Sequence, residues 1–214
     1  MVALLQVALD LTSIKEALAI ALEAVEGGAD IIEVGTPLLK AEGLHSVRVL
    51  RETFKGRRIV ADMKIMDAGE LEAELALKAG ADVVTVLGVA SLETLKRATS
   101  KAHELGGKVM VDMMEVKEVG RRVEEAVRLG VDYICLHVGL DVQRAKGVSA
   151  RELAERAERI KSEYSVKVAV AGGIDELTAP LYRDLDIVIV GGAIIKSPNP
   201  REATERILRA IGKL

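Results

Sequence analysis

The chain has 214 residues, half of them hydrophobic and 29% charged, with a formal net charge of −3. That length suggests one domain with a large aliphatic core, and the mild acidic balance supplies no basic patch for a nucleic-acid backbone. Aromatic residues make up 2% with no tryptophan, so stacking platforms for single strands are nearly absent, and the single cysteine, Cys135, cannot form an internal disulfide, which fits a reducing, cytoplasmic setting.

The opening run from Met1 to Leu9 is too short to span a bilayer and lacks a basic leader. It reads as a first strand over 4–9, ending at Asp10. A helical pattern follows over 13–26, with Ser13 and Glu16 spaced as a capping box and Gly27-Gly28 as its stop. A short strand at 30–35 leads through a Thr36-Pro37 loop to a helix over 44–54. Strand 59–62 ends in Asp62-Met63-Lys64, followed by Asp67 and a helix over 69–79. The alternation continues with strand 82–87 and helix 91–105, strand 108–112 and helix 116–129, then strand 133–137. A long loop precedes helix 149–163. Strand 167–171, a short helix at 176–182, strand 187–190 and a helix over 200–211 complete the chain. Cys135 lies in the apolar run of the sixth strand and reads as a small buried hydrophobe.

The strands are continuous aliphatic runs, the pattern of parallel strands buried on both faces. Eight strand–helix units predict a single-domain (β/α)8 TIM barrel, with a doubly wound open sheet as the alternative. Gly28-Ala29-Asp30, Gly80-Ala81-Asp82 and Gly130-Val131-Asp132 recur at even spacing, and Leu185-Asp186 is a weaker fourth copy. They fall at strand N-termini, the face that serves stability, so these aspartates are not expected to be catalytic.

In such a barrel the chemistry sits at the strand C-termini. In order those ends carry Asp10, Glu33, Asp62 with Lys64, Leu87-Gly88, Asp112, His137, Gly172-Gly173 and Gly191-Gly192. Charges are rarely buried unless paired, so a ring of them above an aliphatic interior points to a site. The glycine pairs close strands seven and eight, where barrels of this kind often bind a phosphate on backbone N–H groups. Glu33 and Asp62 on adjacent strands suit a hard divalent cation, Mg²⁺ with Mn²⁺ as an alternative. Lys64 between Asp62 and Asp67 should stay charged, which disfavours a Schiff base and suits stabilisation of an enolate oxygen. His137 alone among the histidines falls at a strand end and is the candidate acid/base, whereas His45 and His103 fall in helices.

These residues resemble a family. Asp62-x-Lys64-x-x-Asp67 after a strand resembles the orotidine 5′-monophosphate decarboxylase suprafamily, and within it the 3-hexulose-6-phosphate synthases. The resemblance also rests on Glu33-Val34-Gly35-Thr36-Pro37, His137-x-Gly139-x-Asp141, Ala171-Gly172-Gly173-Ile174 and Val190-Gly191-Gly192-Ala193, and it covers nearly the whole chain. It implies a homodimer of barrels and Mg²⁺-dependent aldol joining of formaldehyde to ribulose 5-phosphate, or the reverse. By the same resemblance Asp67 reaches into the partner's site, and Asp10 and Asp112 hold substrate hydroxyls. His137 moves the C1 proton, and Gly172, Gly173, Gly191 and Gly192 cradle the phosphate. The nucleotide decarboxylases have a lysine at the Glu33 position and an arginine at that of Gly192. The 3-keto-L-gulonate 6-phosphate decarboxylases carry an arginine where this chain has Leu140, and many synthases have a threonine where it has Val138. The alternatives are therefore decarboxylation of a keto-sugar acid phosphate, a Schiff-base aldolase, and a non-catalytic sugar-phosphate-binding barrel.

Overall fold

The computed structural model describes residues 2–142 and 149–214. Eight parallel strands close into a barrel in sequence order, with β1 hydrogen-bonded to β8. The strands are β1 (Leu4–Leu9), β2 (Ile31–Val34), β3 (Arg58–Ile65), β4 (Val83–Leu87), β5 (Lys108–Asp112), β6 (Tyr133–His137), β7 (Lys167–Ala171) and β8 (Ile187–Val190). Around them run α1 (Ile14–Glu26), α2 (Thr36–Glu42), α3 (His45–Thr53), α4 (Gly69–Lys78), α5 (Leu92–Glu104), α6 (Val119–Arg128), α7 (Ala150–Glu163), α8 (Gly192–Ile195) and α9 (Pro200–Ala210). The expected (β/α)8 architecture is the one observed, and the open-sheet alternative falls. The loop expected before residue 149 lies partly outside the described residues.

Local differences have physical causes. Thr36-Pro37 is the first turn of α2 rather than a loop, since proline suits an early helical position whose N–H needs no partner. The short helix before β8 is a single 3-10 turn, Ala179–Tyr182. Ser13 sits at the N-cap of α1 in extended backbone but its side chain caps nothing, whereas Ser91 accepts the Thr94 N–H at the start of α5. β3 runs past Asp62 to Ile65, and its register with β4 shifts between Ala61 and Ile65. Within that bulge Lys64 has φ of 48°, in the left-handed region that costs a side-chain-bearing residue energy.

Two apolar zones share the strands. One lies between strands and helices; the other fills the barrel, with Ile31, Val60, Val83, Met110, Tyr133 and Ile187 among its members. The registers arrange the interior in layers drawn from alternate strands. Gln6, Val60, Met110 and Ala169 make one layer; Glu33, Thr85, Cys135 and Ile189 the next; Ala8, Asp62, Asp112 and Ala171 the one above. Moving toward the strand C-termini, aliphatic packing gives way to charge.

The opposite pole is fastened by the repeated aspartates. Asp30, Asp82, Asp132 and Asp186 each accept a backbone N–H through the side chain, from Leu5, Ile59, Val109 and Val168 at 2.8, 2.6, 2.9 and 2.9 Å. Each also donates its own N–H to the carbonyl of that same residue. The pairs join β1 to β2, β3 to β4, β5 to β6 and β7 to β8, and each carboxylate has a basic partner: Lys213, Arg51, His103 and Lys161. Their expected structural role is the one the geometry gives them.

Candidate active site

At the C-terminal mouth, Glu33, Asp62, Lys64, Asp112 and His137 surround a cavity of about 20 Å³ with Thr85 and Cys135, room for one water-sized occupant. The positive φ at Lys64 turns its side chain back over the barrel. Nζ lies 2.8 and 3.1 Å from the two oxygens of Asp62 and 3.1 Å from Asp112 Oδ2. The Lys64 N–H donates to Thr85 Oγ1 at 2.9 Å, which replaces the strand pairing lost in the bulge. Burial alone would lower the lysine's pKa, but Asp62 and then Asp112 outweigh it and hold it above the ordinary value. A charged Lys64 was the expectation; the second acid is Asp112, not Asp67.

Asp112 Oδ2 also faces His137 Nδ1 at 2.8 Å, and Oδ1 accepts the Met114 N–H at 2.9 Å. Burial would raise the Asp112 carboxyl, but the His137 hydrogen bond and charge, with Lys64, keep it below the usual carboxylate value. An ionised carboxylate can only accept, so Nδ1 carries a proton toward it and Nε2 is the ring nitrogen left to meet a substrate. Asp112, expected at substrate hydroxyls, thus directs its oxygens at Lys64, His137 and a backbone N–H.

Asp62 is buried, with hydrogen bonds to both of its oxygens. Thr85 Oγ1 donates to Oδ1 at 2.8 Å, and Thr36 Oγ1 to Oδ2 at 2.7 Å. Glu33, 7% exposed, accepts from Gln6 Nε2 at 2.5 Å. Burial, then the charges of Asp62 and Asp10, push the Glu33 carboxyl well above its ordinary range. Asp10 lies exposed at the rim, yet its carboxyl is raised too, by desolvation first and by Asp62 second. The acids Asp10, Glu33 and Asp62 therefore crowd one corner with Lys64 as their cation. Among the described residues no three His, Cys, Asp or Glu side chains form a metal-holding group. A cation here would take two carboxylates and fill its shell from water and substrate oxygens, as Mg²⁺ does. Oxygen donors and crowded negative charge suit that ion.

The glycines divide by cause. Gly172 and Gly173 have φ of 112° and 66°, conformations that L side chains rarely adopt. Gly191 has no such requirement, but a Cβ there would lie 3.4 Å from Asp10 Oδ2. A Cβ on Gly35 would collide with Asp10 Oδ1 and the Leu9 carbonyl. The space beside Gly192 is open as far as Lys196 Cε, 4.0 Å away. Backbone at the ends of β7 and β8 is thus bare, as an anion cradle needs.

Asp67 does not join this cluster. It is exposed on the outer surface, in an open groove of about 490 Å³ shared with α4 and α5 and lined by Glu70, Leu71, Glu74, Ser91 and Arg97. That groove is larger than the cavity at the mouth, but it lacks the buried, mutually bonded ionisable groups on which chemistry depends. His45 is exposed and His103 pairs with Asp132 at 2.9 Å, both away from the mouth as expected. Cys135 is buried inside the barrel. Sequence reasoning missed Gln6, Thr36 and Thr85. For Gln6 and Thr85 a signal existed: a lone polar residue within an aliphatic strand buried on both faces.

Residues 3–207 match the family model described as the orotidine 5′-phosphate decarboxylase / HUMPS family. The chain is 41% identical over 209 residues to a 3-hexulose-6-phosphate synthase of Bacillus subtilis, covering 97% of this chain and 98% of that one. Among solved structures it is similar to a 3-hexulose-6-phosphate synthase from Salmonella typhimurium, at 36% identity and a TM-score of 0.91, with 98% of each chain covered. It is also similar to a 3-keto-L-gulonate-6-phosphate decarboxylase from Vibrio cholerae, at 25% identity and a TM-score of 0.88, with 100% and 99% covered.

Proposed function

The chain belongs to the orotidine 5′-phosphate decarboxylase / HUMPS family, and we propose that it is a lyase of the aldolase type that joins formaldehyde to ribulose 5-phosphate or releases it in reverse. The observation that carries this reading is the unbroken Asp62–Lys64–Asp112–His137 network at the barrel mouth. Similarity to 3-hexulose-6-phosphate synthases along nearly the whole chain supports it.

In this reading the phosphate rests on the bare backbone at Gly172, Gly173, Gly191 and Gly192, and the sugar extends across the mouth toward His137. Nε2 of His137 removes a proton from C1, and Asp112 holds the ring in the tautomer that makes Nε2 the base. The electrons of the broken C–H bond form the C1–C2 enediolate. The Lys64 ammonium, fixed by Asp62 and Asp112, stands beside the developing oxyanion at no cost of reorganisation. C1 then bonds to the carbon of formaldehyde as the C2 carbonyl re-forms, and the formaldehyde oxygen takes the proton back from His137 as the new hydroxyl. Glu33 and Asp62 would hold Mg²⁺, which when bound polarises the ketose carbonyl as a Lewis acid. A Schiff base at Lys64 does not fit a lysine stabilised as ammonium.

The active unit in this reading is a homodimer. Met66, Leu71, Leu75, Val89 and Leu92 are exposed apolar residues on or beside α4 and α5, around the groove that holds Asp67. A second copy on that face covers them and takes Asp67 toward its own mouth. Light scattering at micromolar protein should give twice the chain mass; a monomer retaining full activity would refute this part.

Formaldehyde-dependent loss of ribulose 5-phosphate, followed with Mg²⁺, with Mn²⁺ and after EDTA, tests the reaction. Full turnover in EDTA would remove the metal from the proposal. Carbon dioxide release from 3-keto-L-gulonate 6-phosphate, with no formaldehyde-dependent turnover, would assign the decarboxylase instead. Binding of ribulose 5-phosphate without either reaction would leave a sugar-phosphate-binding barrel.

A further inference from the structure

Below the charged layer lies a polar side chain that the chemistry above leaves unused. Gln6 is 0% exposed, in a layer whose other members are Val60, Met110 and Ala169. Its Nε2 makes the one side-chain hydrogen bond to the Glu33 carboxylate among the described residues, at 2.5 Å. The amide has two ends, and aiming the donor at Glu33 strands the other. Gln6 Oε1 is buried with no partner. A leucine or methionine would fill that aliphatic layer without an orphan atom, so packing does not explain the amide.

We propose that Gln6 is a positioning residue for Glu33 and, through it, for the divalent cation; this rests on the reading of Glu33 and Asp62 as its ligands. Gln6 lies deeper in the barrel than Glu33, so its bond comes from the side away from the mouth. It fixes Oε2 and leaves Oε1 to face a cation. Asp62 has the equivalent support from Thr36 and Thr85, which fix both of its oxygens. Carboxylate ligands are commonly held this way by a second ring of hydrogen bonds, whose loss costs about 10–100-fold in metal affinity. Among the described residues Glu33 has only Gln6 for that purpose.

Gln6→Met keeps the length of the side chain and removes the donor. After chelator treatment, Mn²⁺ binding without substrate, followed by electron paramagnetic resonance, should weaken about 10–100-fold relative to wild type. Formaldehyde-fixing activity of the variant should recover as Mg²⁺ is raised, with kcat restored and only the activation constant increased. Equal Mn²⁺ affinity, or a kcat that stays low at saturating Mg²⁺, overturns the positioning role while leaving the metal reading intact. Absence of Mn²⁺ binding by the wild type overturns both. Should Gln6→Met not fold, the wild type decides: the Gln6 side-chain amide resonance should shift on Mg²⁺ titration, and a resonance that does not move refutes the role.

Discussion

Asp82→Ala isolates what one fastener at the N-terminal pole contributes. Asp82 accepts the Ile59 N–H at 2.6 Å, and Ile59 is fully buried. Truncation leaves that donor without its side-chain acceptor, a loss of about 1–3 kcal/mol. The Arg51–Asp82 ion pair goes too, but its side chains are 25% and 46% exposed, so solvent screening holds its share to at most about 1 kcal/mol. The expected total is about 1–4 kcal/mol, which for a domain of this size lowers Tm by roughly 2–16 °C. Asp82→Asn keeps an acceptor oxygen and loses the charge, so it should cost about 1 kcal/mol or less. Differential scanning calorimetry of wild type and both variants reads the difference, and kcat should stay at the wild-type level because the mouth lies at the other end of β3. Equal Tm values for the alanine and asparagine variants would refute the buried-donor account. A large fall in kcat at unchanged Tm would refute the separation of the poles.

Asp112→Asn should lower kcat about 10²–10⁴-fold with circular dichroism unchanged, because His137 loses the partner that fixes its tautomer; stopped-time assays with ribulose 5-phosphate check this. Gly173→Ala forces a Cβ onto φ of 66° at a cost of about 1–2 kcal/mol and should raise KM for the phosphorylated substrate more than it lowers kcat. Burial, then Asp112 and Glu33, push the Cys135 thiol well above its ordinary value, so it stays protonated and shielded. Ellman's reagent should find no reactive thiol in the native protein at pH 8 and one after denaturation.

The sequence carried most of the fold because parallel strands buried on both faces write themselves as uninterrupted aliphatic runs. The strand ends then located Glu33, Asp62, Lys64, Asp112 and His137, which the structure gathers at one mouth. Partnership within the cluster was less legible. Strand spacing placed Asp62 and Lys64 on one face, but nothing local reveals that β3 bulges and sends Lys64 toward Asp112 on β5 rather than toward Asp67. Asp67 follows Lys64 closely in sequence, and the turn into α4 carries it to the outer surface instead. Gln6 and Thr85 act through hydrogen bonds to neighbouring strands, a relation that depends on register and therefore on the closed barrel. Thr36 was hidden differently, read as loop when it opens a helix and donates to Asp62.

Asp10 sits where the barrel closes on itself. Its two oxygens face Gly35 at the end of β2 and Gly191 at the end of β8, so one carboxylate touches both the first and the last pairings of the ring. The β1–β8 pairing joins segments nearly the whole chain apart, and contacts of that separation are the slow ones to form. The rim is complete only where β1 and β8 are paired. Turnover needs that completed rim, whereas helical signal does not, so recovery of activity on refolding reports closure of the ring and makes the enzyme its own reporter of it.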